Sequence, residues 1–226
     1  MNKIKSWLEN YWYYYKTHTL LGIFFAVFFA VAISQMVQKD KIDAYLMYAG
    51  PVSLGGTQVE QMESSLEQVM KNDYHGDGEK NAQVLTLFLM NNQQAEEAKA
   101  AAREQGIDDF YVDMDYMADA RQQFDLQFLA GDCYICVLDP SLYEEMKALG
   151  AFEKLDDPRS EDGYGVRFWD TDFAAFFAEA YRNVPENVIL CLRKVPATSL
   201  GKRKEAEKQA FHADLMSDIL AFSVPQ

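Results

Sequence analysis

Three stretches carry side chains whose types and spacing could do chemistry. The first is Asp73-Tyr74-His75-Gly76-Asp77-Gly78-Glu79. Its D-x-H-x-D-G pattern follows the opening of a calcium loop, where alternating carboxylates and a glycine for the sharp turn suit a hard, oxygen-seeking ion. Asp73, Asp77 and Glu79 would be the calcium ligands. The competing reading is a tight glycine-rich turn between a helix and a strand. The turn is favoured, because His75 stands where an oxygen ligand belongs and Val84 stands where the loop needs a bidentate Glu.

The second stretch is Cys133-Tyr134-Ile135-Cys136, a CxxC spacing that fits redox or zinc chemistry. The surrounding Cys133–Leu138 run reads instead as a buried strand, with the two thiols on opposite faces. A zinc site needs a second ligand pair, and the histidines are only His18, His75 and His212. Core cysteines are therefore expected, with a contact or bridge between Cys136 and Cys191 as the alternative. The third stretch runs from Asp162 to Asp172, DGYGVRFWDTD. It places Tyr164, Phe168 and Trp169 beside Arg167 and two acids. Exposed aromatic rings with polar neighbours can stack on a sugar or a peptide; packing into the core or its rim is the plainer reading.

Catalytic signatures are missing from the sequence. It has no phosphate-cradling glycine loop, no dinucleotide fingerprint, no G-x-S-x-G elbow and no HExxH. Acidic pairs such as Asp108-Asp109 come free with an acidic surface. A non-enzymatic role is expected, without a resident cofactor unless the Asp73–Glu79 loop binds calcium.

The elements that must position these residues begin with a span. Thr17 to Gln38 reads THTLLGIFFAVFFAVAISQMVQ, with no Asp, Glu, Lys or Arg inside it. About 20 apolar residues of helix cross a hydrocarbon core of about 30 Å. Trp7, Tyr11, Trp12, Tyr13, Tyr14 and Tyr15 precede it and suit the headgroup layer. The expected organisation is a cytoplasmic tail at 1–16, a transmembrane anchor at 17–38 and an extracytoplasmic domain at 40–226. Lys3, Lys5 and Lys16 before the span favour an amino terminus inside. The competing reading is cleavage after Ala30-Val31-Ala32, a small-x-small site; retention is favoured because the apolar run continues beyond it.

The whole chain carries a net charge of −14. Four lysines and one glutamate precede Asp40, so the remainder is more acidic still. Such a domain repels nucleic acid and anionic headgroups. Nucleic-acid binding is excluded on that ground.

Beyond the anchor, Asp43–Ala49 reads as a first strand and Gly55-Gly56 as a turn. Thr57 then opens a helix with Glu60 as a capping box. Ala82–Met90 is a second strand, and 91–105 a helix ended by Gly106. Asp113 or Asp115 caps the next helix, with Met117, Ala120, Phe124, Phe128 and Leu129 inward. Strand Cys133–Leu138, an Asp139-Pro140 turn and helix Ser141–Leu149 come next. A helix at Phe173–Tyr181, strand Val188–Arg193 and an amphipathic helix Ala206–Phe222 close the chain. Gly201–Lys204 is a small basic cluster. Strands alternating with helices predict an α/β domain with a mainly parallel sheet.

The stretch Leu129–Asp156, with its Gly-Asp turn, strand, Asp-Pro turn and helix closing on Gly150-Ala151-Phe152-Glu153-Lys154-Leu155, resembles the extracellular solute-binding proteins of bacterial transporters. Tyr164-Gly165-Val166 is similar to the strand with which those proteins re-enter the sheet. The resemblance implies one lobe of a type 2 periplasmic-binding-protein-like fold. The layout also resembles a group of small, uncharacterised, membrane-anchored extracytoplasmic proteins of Gram-positive bacteria. The shared features are the Trp/Tyr-rich start, the span, the Asp73–Gly78 loop and the strand Val188–Arg193. A non-catalytic solute-binding or accessory module is therefore expected. Its ligand patch, for an unidentified small molecule, would lie at the carboxyl ends of the strands, near Asp139, Tyr143, Tyr164, Arg167 and Trp169. The alternative is a structural or protein-interaction component that docks a membrane-protein partner and takes no small molecule.

Overall fold

The computed structural model describes residues 2–37, 41–195 and 202–224. The expected end of the span at Gln38, the first residue of the domain at Asp40, and Gly201 of the basic cluster lie outside the described residues. The chain divides into two compact units, Met1–Lys41 and Ile42–Gln226.

The first unit is one helix, α1 (Asn2–Val37). Its window Tyr11–Val31 is long and apolar enough to cross a membrane. Leu20, Phe24, Phe28 and Phe29 are all exposed. A helix that shows apolar side chains all round is at home in lipid rather than water. It fits a membrane anchor or a signal sequence. The aromatic residues before the span continue the same helix, with the Trp7, Tyr11 and Tyr15 rings stacked at centroid spacings of 5.7 and 5.3 Å.

The second unit is a mixed α/β domain around a five-stranded open sheet. Its strands are β1 (Ala44–Gly50), β2 (Ala82–Phe88), β3 (Ile135–Leu138), β4 (Gly165–Arg167) and β5 (Ile189–Leu192), in the spatial order β2-β1-β3-β5-β4. β1 pairs parallel with β2 and β3, whereas β5 runs antiparallel to both of its neighbours. The expectation of a mainly parallel sheet is corrected at this edge. The Phe168 N–H donates to the Val188 carbonyl at 3.0 Å, just past β4 and just before β5. The intervening chain thus leaves and rejoins the sheet at the same end, and β5 has to run back.

Alternate residues of the central strands feed two cores, as the pleat requires. Leu46 and Tyr48 of β1, Ile135 and Val137 of β3, and Leu190 and Leu192 of β5 face α2 (Gly56–Val69) and α8 (Lys202–Leu220). Met47, Ala49, Cys136, Leu138 and Cys191 face the other way. They meet α4 (Met114–Ala130) and α5 (Pro140–Ala148). α3 (Asn92–Glu104) joins α4 through a small cluster of Ala95, Val112 and Met117. The predicted helix at Phe173–Tyr181 is two short pieces, α6 (Asp172–Phe176) and α7 (Ala178–Tyr181).

Local capping signals hold at some helices and mislead at others. Asn91 and Gln94 form a reciprocal capping box on α3, and Asp113 caps α4. Thr57 does not cap α2. That helix starts at Gly56, after Gly55, and no side chain caps it. Leu129, expected inward, is exposed near the end of α4.

Candidate functional site

The carboxyl ends of β3 and β4 converge with the start of β5 around a hollow of about 160 Å³. Leu138 stands opposite Ile189 in one pairing and Arg167 opposite Ile189 in the other, so a single residue marks the floor. Pro140, Tyr143 and Glu144 of α5 line one wall; Arg159, Glu161 and Asp162 of the loop before β4 line another. Asp139 caps the helix behind that first wall: it accepts from the Ser141 N–H at 2.9 Å, and Pro140 stands at the first helical position.

Tyr143 and Asp162 form the fixed part of the hollow. The buried Tyr143 hydroxyl donates to Asp162 Oδ2 at 2.7 Å, and Lys147 Nζ donates to the same oxygen at 2.9 Å. Asp162 Oδ1 accepts from the N–H groups of Tyr164 and Gly165. Partial burial works to raise the Asp162 carboxyl pKa. Lys147, Tyr164, Tyr143 and Gly165 together outweigh it and hold the group down at about 2. Burial, and next the bond to Asp162, push the Tyr143 hydroxyl well above its ordinary value. Its ring stacks on Phe152 with centroids 5.2 Å apart. A Cβ at position 165 would lie 2.4 Å from Ile189 Cγ2 and 2.8 Å from Tyr143 Cζ, so the bare glycine is what lets the tyrosine ring pass.

Arg167 differs from its neighbour Arg159. It is exposed on β4 and lines this hollow, and its side chain makes no hydrogen bond or ion pair with any described residue. Arg159 is held by Asp157 and by the Leu220 carbonyl. Arg167 and Asp170 also line a second, wider hollow of about 540 Å³, with Trp169, Arg182 and Glu186. The two depressions therefore meet at one uncommitted guanidinium. Such a group can take a carboxylate or another planar anion through paired N–H donors.

The structure divides the predicted ligand residues. Tyr143 and Arg167 share the first hollow, and Trp169 lines the second. The Trp169 indole N–H is already spent on the Pro185 carbonyl at 3.0 Å. Tyr164 is half-buried against the α4–α5 core, and Phe168 is wholly buried. These rings are packing at the core and its rim; they do not form an open stacking platform. Asp139 is buried and turned elsewhere. Its carboxylate accepts from Ser141 and from Gln94 Nε2, beside a hollow of about 280 Å³ lined by Asn91, Gln94 and Ser141. Asp162, Glu161 and Asp170 are additions to the expected ligand residues. The Asp162-Gly163 turn signal is readable in the sequence, but its partner Tyr143 lies nineteen residues away.

The three predicted calcium ligands do not surround a common point. Asp73 Oδ1 accepts from the N–H groups of His75 and Gly76, and Oδ2 from that of Gly78. Asp77 Oδ1 accepts from the Glu79 N–H. Gly76 and Gly78 take φ values of 68° and 89°, which the left-handed turns demand. Buried Asp43 completes the loop by accepting from the N–H groups of Tyr74, His75 and Asn81 and pairing with His75 Nδ1 at 2.8 Å. Among the described residues no group of three His, Cys, Asp or Glu side chains is placed to hold a metal ion. The geometry is that of the glycine-rich turn.

The CxxC pair is also resolved. β3 begins at Ile135, so strand alternation does not extend to Cys133. Cys133, Cys136 and Cys191 all enter the same core, not opposite faces as expected. All three are buried free thiols, and Cys191 is the register partner of Cys136. Burial pushes the Cys133 thiol up to about 12, so it rests protonated in the core. Arg193, at the end of the predicted Val188–Arg193 strand, serves the same region. Its buried guanidinium donates to the carbonyls of Phe128, Gly131 and Cys133 and lies 4.5 Å from the Tyr134 ring centroid. It thereby closes the carboxyl end of α4.

No protein-family model, curated protein or solved structure matches this chain.

Proposed function

We propose that this protein is a membrane-anchored, non-catalytic binding module, built like one lobe of a bacterial solute-binding protein, that takes a small anionic solute at Arg167. The observation that carries the reading is the unpaired Arg167 guanidinium where two hollows meet, at the carboxyl ends of the strands. Open α/β sheets bind ligands at that edge. The short β4 that brings Arg167 back into the sheet belongs to the segment that resembles solute-binding proteins. The resemblance to small membrane-anchored proteins of Gram-positive bacteria belongs to the same proposal. So does the orientation, in which α1 is retained as the anchor, lysines precede the span and the acidic domain faces outside.

The test is a thermal-shift screen of the full-length protein in neutral detergent. The panel contains amino acids, short peptides, sugar acids and neutral sugars. A carboxylate-bearing ligand at about 100 times its Kd adds about 2.7 kcal/mol. For a domain of this size that raises the Tm by about 5–10 °C. Arg167→Met should abolish the shift and leave the unliganded Tm in place. No shift with any member of the panel would reject the reading.

A further inference from the structure

Half of the large apolar side chains that the described residues of the domain expose lie in one stretch, the connection from α3 to α4 and the first turn of α4. Ile107, Phe110, Tyr111, Met114 and Tyr116 are all exposed, Tyr111 at 72 % and Met114 at 58 %. This is no loose loop tip. Val112 is buried between Ala95 and Met117. The Ile107 N–H is bonded to the Ala102 carbonyl, Asp113 caps α4, and the Tyr116 ring leans on Phe88 at a centroid distance of 6.3 Å. The segment is held in shape while its aromatic side chains are displayed, and preorganisation of that kind lowers the cost of binding.

Charge identifies the occupant. From Glu104 to Ala120 the sequence holds six acids and no Lys, Arg or His. Asp108, Asp109, Asp115 and Asp119 are exposed, and their side chains make no hydrogen bond or ion pair with any described residue. Anionic lipid would be repelled from such a face. A cation is attracted twice, by the carboxylates and by the faces of Tyr111 and Tyr116. Met117, next in the chain to Tyr116, lines the hollow of about 280 Å³ with Leu89, Met90 and Leu142, so an aliphatic anchor has somewhere to go.

We infer that the face formed by Ile107–Tyr116 docks a basic, amphipathic segment of a protein partner, with cations on Asp108, Asp109 and Asp115 and an aliphatic side chain in the Met90–Met117 hollow. This surface is separate from the Arg167 hollow and does not depend on it.

The experiment uses the full-length protein in nanodiscs of zwitterionic lipid, with empty nanodiscs as the blank. The probe is a fluorescein-labelled peptide of alternating Arg and Leu, compared by fluorescence anisotropy with a counterpart carrying Glu for Arg. The Arg peptide should bind and the Glu peptide should not. Asp108→Asn/Asp109→Asn/Asp115→Asn and, separately, Tyr111→Ser/Met114→Ser should each weaken binding about tenfold or more. The off-face triple Glu60→Gln/Asp156→Asn/Asp214→Asn should stay within about twofold, which separates a docking face from diffuse attraction to an acidic protein. Equal weakening by the off-face triple, or unchanged binding by both face variants, would overturn the inference. So would light scattering that shows an oligomer converted to a monomer by Tyr111→Ser/Met114→Ser, since a second copy would then own the face. Thermal melts of the variants that match the unaltered protein confirm that no effect comes from misfolding.

Discussion

The two ends of the sheet use similar residues to opposite effect. At the amino end, Asp43, Asp73, His75 and His212 are consumed by the fold. Asp43 and Asp73 accept backbone N–H groups of the 73–81 loop, and His212 Nε2 accepts the Tyr45 N–H at 2.9 Å. At the carboxyl end, Tyr143, Lys147 and Asp162 are likewise tied together, yet Arg167 is left over. Acidic or histidine-rich sequence is therefore no guide to a ligand site by itself. What matters is whether the backbone has already taken the lone pairs and protons.

The largest effect is expected at Asp43, whose side chain is only 1 % exposed. Asp43→Ala strips the acceptor from three N–H groups, and denaturant unfolding should show a loss of about 4 kcal/mol. A loss below about 1 kcal/mol would mean that the loop at this end is not closed by the fold.

Next comes acid. Burial depresses His212 from its ordinary value to about 4, against the opposing pull of its hydrogen bond to the Lys208 carbonyl. The unfolded chain takes the proton more readily than the folded one. This contribution is thus fully present above about pH 6.5 and is lost as pH falls through about 4. It amounts to on the order of 3 kcal/mol, and urea melts at stepped pH should follow that slope. His212→Gln should flatten it. Asp162 works in the same direction in a lower window, present above its ordinary carboxylate pKa and lost toward about pH 2.

At the other end, Tyr143→Phe removes one hydrogen bond to a charged partner while Lys147 and two N–H groups remain on Asp162. A loss of about 1.5 kcal/mol is expected by the same melts. Smallest in stability is Arg167→Met, within about 0.5 kcal/mol, because an exposed, unpaired side chain holds nothing in place. A large loss there would remove the contrast between the two ends. Calcium sharpens the contrast as well. Millimolar calcium should leave the Tm unchanged in the unaltered protein and in Asp77→Ala, since Asp73 already serves three N–H groups. A calcium-dependent rise that Asp77→Ala abolishes would reopen the amino-end loop as an ion site.

Much of the local structure is legible in the sequence. The apolar runs of β1 and β2, the Asp113 cap of α4 and the Asp139-Pro140 start of α5 are written within a few residues of where they act. Expectation and structure part where a local signal loses to its surroundings. Thr57 with Glu60 spells a capping box, but the chain enters the helix earlier, through the glycines. The aromatic cluster at Tyr164–Trp169 allows an exposed platform or plain packing, and the adjoining cores take the rings. The Ile107–Tyr116 segment has no clear period of its own. Its exposure depends on Val112 and Met117 taking the buried places.

Composition and short-range pattern in the sequence were enough for the apolar helix α1, the acidity of the domain after it and the α/β alternation. Each is a property of composition or of short-range period, which the backbone geometry converts directly into helices, strands and burial. Only the tertiary structure decided that β5 runs backward, that Cys191 lies opposite Cys136, that Asp43 closes a loop more than thirty residues along, and that Arg167 has no partner among the described residues. Those outcomes depend on which distant groups reach one another and satisfy one another's hydrogen bonds, and periodicity names a face without naming what will meet it.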